Sequence, residues 1–211
     1  MTRDGRPDED ISLKHRLLER WTARRLGTIA HERRVTAIAA TLFDLTAHLH
    51  RLSPADRKLL LLGCVCHDVG RSVDEDEHPR EGARMILQDN WLPITPAERR
   101  LLAYFCRYHR GTVPEAGGDA YLLPTDDRRA ARLLLALLRA ADALDSRSQE
   151  SPRLAIALHG RRVHVTCYLN DDSAKARKAY GKRKKYRLLE ELLDCRVDVD
   201  VRCGEALQTV G

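Results

Sequence analysis

The chain has 211 residues, 43% apolar and 32% charged, with a formal net charge of +6. That length suits one compact domain or a domain with a modest appendage, and the composition excludes a disordered chain. No run approaches the roughly 18 apolar residues of a membrane span, and "MTRDGRPDEDISLKHR" has no apolar signal core, so a cytoplasmic protein without membrane contact is expected.

Residues 11–26 predict a first amphipathic helix, with Leu13, Leu17, Leu18, Trp21 and Leu26 apolar. A second is expected over 29–51, where His31 shares a face with Val35, Ile38, Leu42 and Leu45. "SPAD" at 53–56 is a helix-start signature that opens "LLLLGCVCHDVGR", Leu59 to Arg71. Gly70 reads as the stop of that helix. A polar loop leads to a fourth helix over about 79–90, and "TPAE" at 95–98 repeats the start signal for a fifth ending near 108–109. Residues 111–126 read as a loop, and "DRRAARLLLALLRAADALD" as the sixth helix.

The pattern then changes. "LAIAL" and "RVHVTCYL" alternate with period two around His159-Gly160, a hairpin signal. A long basic helix is expected over about 172–193, and "CRVDVDVRC" alternates again. The predicted fold is mainly α: a bundle of about six helices over 1–150, carrying a small β-β-α-β appendage over 151–211. The six cysteines show no second pair to match Cys64 and Cys66, so reduced thiols are expected.

Charge is concentrated in one place. Residues 175–187 hold eight Lys or Arg and no acid, so the remainder of the +6 chain is slightly acidic. Lys182, Lys184 and Lys185 are candidates for contact with an anion. Tyr180 and Tyr186 interleave these charges and could stack on bases, but no complete nucleic-acid motif accompanies them, and nucleic acid is not the expected partner.

The helical body repeatedly places His and Asp beside apolar runs: His31, His67 and Asp68, His78, His109 and Asp142. Each alone suits a core histidine or a helix-end carboxylate. Together they are costly to bury unless paired or bound to metal. Imidazole nitrogens with carboxylate oxygens suit Mn²⁺, Fe²⁺, Co²⁺, Ni²⁺ or Zn²⁺, with Mg²⁺ allowed. Asp145, one turn beyond Asp142, orients a ligand histidine, caps the helix or pairs with Arg147.

The order His31 … His67-Asp68 … Asp142 resembles the signature of the HD superfamily of metal-dependent phosphohydrolases, with Arg71 where "HDVGR" departs from the family's lysine. "HPREGARMIL", "RYHRG" and "LLRAADALD" are most similar to the HD-type domain near the C-terminus of exopolyphosphatase/guanosine pentaphosphatase (Ppx/GppA) proteins. The resemblance implies His31, His67, Asp68 and Asp142 as ligands of one ion. His78 and His109 would bind a second ion or contact phosphate, with Asp68 bridging. It also implies hydrolysis of a phosphate ester or anhydride (nucleotide, alarmone or polyphosphate-like) by a metal-activated water. Asp68 and Arg71 would then be catalytic, with Arg71, Arg107 and Arg110 on the phosphoryl oxygens. The ATPase-fold half that carries catalysis in Ppx/GppA proteins has no counterpart here, so this reads as a stand-alone HD domain to which exopolyphosphatase activity is not carried over. The alternatives are a non-catalytic polyphosphate- or alarmone-binding module and, below it, a nucleic-acid-binding accessory protein. A homodimer is compatible with either.

Overall fold

The structure, a computed structural model, describes residues 7–115, 120–145, 153–169, 178–181 and 183–203, and the side chains of these from residue 13 to 202. The helices are α1 (Pro7–Leu26), α2 (Ala30–Leu45), α3 (Ala47–His50), α4 (Pro54–Cys66), α5 (His78–Gln88), α6 (Pro96–Tyr108), α7 (Arg128–Leu144) and α8 (Arg187–Leu193). Short 3-10 turns cover Val69–Ser72 and Arg183–Lys185. Strands β1 (Arg153–His159), β2 (Arg162–Leu169) and β3 (Arg196–Cys203) form one sheet in that order. β1 and β2 are the antiparallel hairpin, and β3 adds parallel to β2. The chain is thus mainly helical with a small C-terminal sheet, as its patterning predicts.

Local chemistry accounts for the helix starts. Ser53 and Asp56 form a reciprocal capping box at α4, and Thr95 and Glu98 do the same at α6, each followed by proline in the first turn. Asp127 caps α7 by accepting the amide of Ala130. α7 is the central helix: Leu133 to Leu138 are all at most 1% exposed. The core is continuous from Val35 and Leu60 through α7 to Val163, Val165, Tyr180 and Tyr186, so the sheet shares the body's apolar interior. The expected division at residue 150 falls outside the described residues.

Four local expectations need correction. Leu13 is 47% exposed and does not join the buried stripe of α1. The second helix breaks at Thr46, whose hydroxyl donates to the Leu42 carbonyl, and α3 then turns His50 into the core. There the His50 ring bonds the Phe43 carbonyl and the Leu52 amide, a purely structural histidine.

Gly70 is not the stop of α4, which ends at Cys66; it lies in the 3-10 turn against the start of α5. A Cβ there would stand 2.1 Å from the His78 carbonyl oxygen and 2.4 Å from the Gly82 nitrogen. Glycine is needed for that backbone approach.

The expected basic helix over 172–193 is broken. Residues 178–180 are helical, Gly181 turns, and the 3-10 turn precedes α8; residues 170–177 and Lys182 lie outside the described residues. Tyr180 and Tyr186 are 1% and 2% exposed, so they pack the core and offer no stacking face. Six residues apart, they would sit about 120° apart on an unbroken helix, and the break lets both reach the interior. Cys64, Cys66, Cys106 and Cys167 are buried free thiols, as expected. Among the described residues no helix is long and apolar enough to cross a membrane.

Candidate metal centre

Helix ends converge at one end of the body and bring the six sequence candidates together. His31 stands in the first turn of α2, His67 caps the C-terminus of α4, Asp68 follows it, and His78 opens α5. His109 caps α6, and Asp142 lies in the last turn of α7. All six are at most 6% exposed.

Local hydrogen bonds orient the rings. The last carbonyls of a helix lack intrahelical donors. His67 Nδ1 donates to the Cys64 carbonyl at 2.8 Å, and His109 Nδ1 to the Cys106 carbonyl at 2.7 Å. His78 Nδ1 donates to the Glu75 carbonyl at 2.5 Å. Since a carbonyl only accepts, each of these Nδ1 atoms carries hydrogen and each Nε2 faces inward. His31 Nδ1 meets the Asp145 carboxylate at 2.6 Å, and Arg34 clamps that carboxylate with two hydrogen bonds. Asp145 thus orients His31 and also stands at the C-cap of α7, while Arg147 lies outside the described residues.

Two groups of ligand-type atoms result. Ring nitrogens of His31 and His67 cluster with an Asp142 oxygen, and Asp68 clusters with His78 and His109, the atoms of each group lying within 4.8 Å of one another. Asp68 stands between the groups. Its Oδ1 is 3.3 Å from His78 Nε2 and 3.1 Å from His109 Nε2, while its Oδ2 is 3.9 Å from His31 Nε2 and from His67 Nε2. Asp142 Oδ1 is 3.2 Å from His31 Nε2 and 3.7 Å from His67 Nε2.

The donor set fits a cation. Among the described residues, the buried Nε2 atoms of His31 and His67 have no hydrogen-bond partner. The Nε2 atoms of His78 and His109 face each other at 3.2 Å, an arrangement that needs a proton or a metal ion between two lone pairs. Mixed imidazole and carboxylate ligands match first-row divalent metals.

The electrostatics run the same way. Burial pushes the Asp68 carboxyl upward, yet His67, His109 and His78 hold it well below the usual carboxylate range. Burial likewise works against Asp142, which His31, His67 and Lys185 keep ionised. Burial opposes a charged His67, but Asp68 and Asp142 hold that ring up to about 9, so without metal a proton takes the cation's place. Burial pushes His109 down, leaving it neutral.

The arginines and lysines divide. Arg71 pairs with Glu75 and brings Nη1 within 3.8 Å of Asp68 Oδ2. Arg107 and Arg110 line a groove of about 350 Å³ with Arg80 and His78. Lys185 Nζ lies 4.0 Å from Asp142 Oδ2, so the C-terminal segment reaches the site. Lys184 is exposed in the same 3-10 turn, and Lys182 is outside the described residues. A separate cavity of about 220 Å³ near the starts of α4, α6 and α7 is lined by none of these ligands.

Sequence reasoning missed Glu32, Arg34 and Arg80. Glu32 is 1% exposed and clusters with His31 and Asp68; its signal was an acid beside a buried histidine, which reads first as a helix-dipole partner. A family model described as Ppx/GppA phosphatase, domain III, matches residues 27–191, a span that contains every residue of this cluster.

Proposed function

Because the chain belongs to the Ppx/GppA phosphatase domain III family, a phosphatase-related role is its premise, and we propose that it is an HD-type metal-dependent phosphohydrolase. The observation that carries this reading is a pair of buried three-ligand groups, His31, His67 and Asp142 beside Asp68, His78 and His109, with Asp68 Oδ2 3.9 Å from the Nε2 atoms of His31 and His67. His31, His67 and Asp142 would hold one divalent ion, and His78 and His109 the other, with Asp68 between them. When bound, such ions supply a water of lowered pKa and a clamp on the oxygens of an in-line displacement.

The chain's own residues do the rest. The backbone carbonyls and Asp145 keep the Nε2 atoms aimed inward, so the ligands need little reorganisation. Arg71, whose Nη1 lies 3.8 Å from Asp68 Oδ2, would stabilise negative charge building on phosphoryl oxygens. Arg107 and Arg110 face the groove beside His78, where they would bind the non-transferred part of a phosphorylated substrate by paired N–H donors. The substrate is a small phosphate ester or anhydride, nucleotide-, alarmone- or polyphosphate-like, and no Ser or Cys nucleophile is required. Cys64, Cys66 and Cys106 are in any case buried thiols.

The test is phosphate release from a panel of monoesters and anhydrides, with Mn²⁺ and each of the other ions, by wild type and Asp68→Asn. Turnover that is lost in the variant while its thermal transition is kept supports the reading. Equal turnover by both proteins refutes it. Arginine-dependent binding of the same compounds without turnover under any metal would favour the anion-binding module.

A further inference from the structure

Glu32 is a ligand-type group that neither three-residue set requires. It occupies the first turn of α2, where an acid ordinarily sits in water beside the positive end of the helix. Here the residue is 1% exposed. A carboxylate taken from water needs a cationic or hydrogen-bonding environment to offset its desolvation. One of its oxygens, a ring nitrogen of His31 and an oxygen of Asp68 lie within 4.8 Å of one another. His31 also belongs to the set with His67 and Asp142, and its Nε2 is a buried atom without a hydrogen-bond partner among the described residues.

We propose that Glu32 is a seventh ligand of the centre, on the His31 side, and that it makes the two cation positions unequal. This rests on the metal reading given above. The His31 side then offers two imidazoles, Asp142, Glu32 and a share of Asp68. The His78 side offers two imidazoles and the other share of Asp68. The first position carries more negative charge and more donors, so it binds its ion more tightly. The second keeps more open positions and adjoins the groove of Arg107 and Arg110, so it is the position that meets substrate. An oxygen-rich, many-donor position also favours Mn²⁺ or Fe²⁺ over tetrahedral Zn²⁺.

The experiment is titration of metal-free protein with Mn²⁺, read by calorimetry and by competition with a chelating dye, for wild type, Glu32→Gln and Glu32→Asp. Wild type is expected to bind in two steps. Glu32→Gln should weaken the tighter step by about tenfold or more and leave the weaker step unchanged. Glu32→Asp keeps the charge but withdraws the carboxylate by one methylene, and should fall between; if the glutamine variant does not fold, the aspartate variant carries the same comparison. Two unaltered steps in the variants would overturn the assignment, as would a loss confined to the weaker step. Wild type that binds no Mn²⁺ would instead sink the metal reading itself, and Glu32's role with it.

Discussion

Gly70→Ala couples the fold to the site through one methyl group. The new Cβ would start 2.1 Å from the His78 carbonyl oxygen and 2.4 Å from the Gly82 nitrogen, where ordinary contact begins near 3.4 Å. Both obstacles are backbone, so no rotamer change relieves them. The first turn of α5 must retreat by about 1 Å, and overpacking of this kind costs about 1–3 kcal/mol. For a chain of this size that lowers Tm by about 2–12 °C.

The residue pushed is itself a ligand candidate. His78 Nε2 lies 3.3 Å from Asp68 Oδ1 and 3.2 Å from His109 Nε2, distances a shift of about 1 Å would spoil. Gly70→Ala is therefore expected to lose one of two metal equivalents as well as stability. The assay is a thermal melt of the metal-free protein together with metal stoichiometry after reconstitution. Gly27→Ala is the control: its φ is +77° and its Cβ would meet nothing within 4 Å, so it should lose some stability and keep both ions. A Gly70→Ala protein with wild-type Tm and two ions would refute the reasoning.

Further outcomes are expected. Asp145→Asn removes the charge that holds His31 Nδ1 and should weaken one ion by about 10–100-fold; competition titration with Mn²⁺ showing unchanged affinity would contradict this. His67 has a folded pKa of about 9, above its ordinary 6.5, so its charged form stabilises the metal-free protein fully below pH 6.5, and that stability is lost as pH rises through about 9. Metal must displace the same proton, so proton release on binding should fall toward zero above pH 9, as calorimetry in buffers of different ionisation enthalpy would record. Lys185→Met removes a cation 4.0 Å from Asp142 Oδ2; it should raise KM for phosphorylated substrate more than it lowers kcat, and a fall in kcat alone would count against a substrate contact by Lys185.

Much of this was legible because polar residues stood where apolar ones were due. His67 and Asp68 end a run of leucine, valine and cysteine, and Asp142 interrupts the most buried helix among the described residues. The two capping boxes follow from short-range chemistry alone, and α4 and α6 begin where "SPAD" and "TPAE" place them. Glu32 was hidden because a first-turn acid has an adequate local explanation, and only tertiary packing removes its water. The role of Gly70 was hidden for a related reason: a glycine after a helix suggests a stop, whereas its cause is the backbone of α5, which sequence does not bring near. The basic segment was misread because Lys and Arg favour helix, while burial of Tyr180 and Tyr186 required the break.

The central claim is that these buried histidines and aspartates hold two ions, and elemental analysis of protein purified without a His-tag and reconstituted with Mn, Fe, Co, Ni or Zn tests it most directly. Wild type should carry two equivalents, His67→Ala and His109→Ala about one each, and Asp68→Ala fewer than either. No retained metal with any ion, or the same content in all four proteins, would contradict the account.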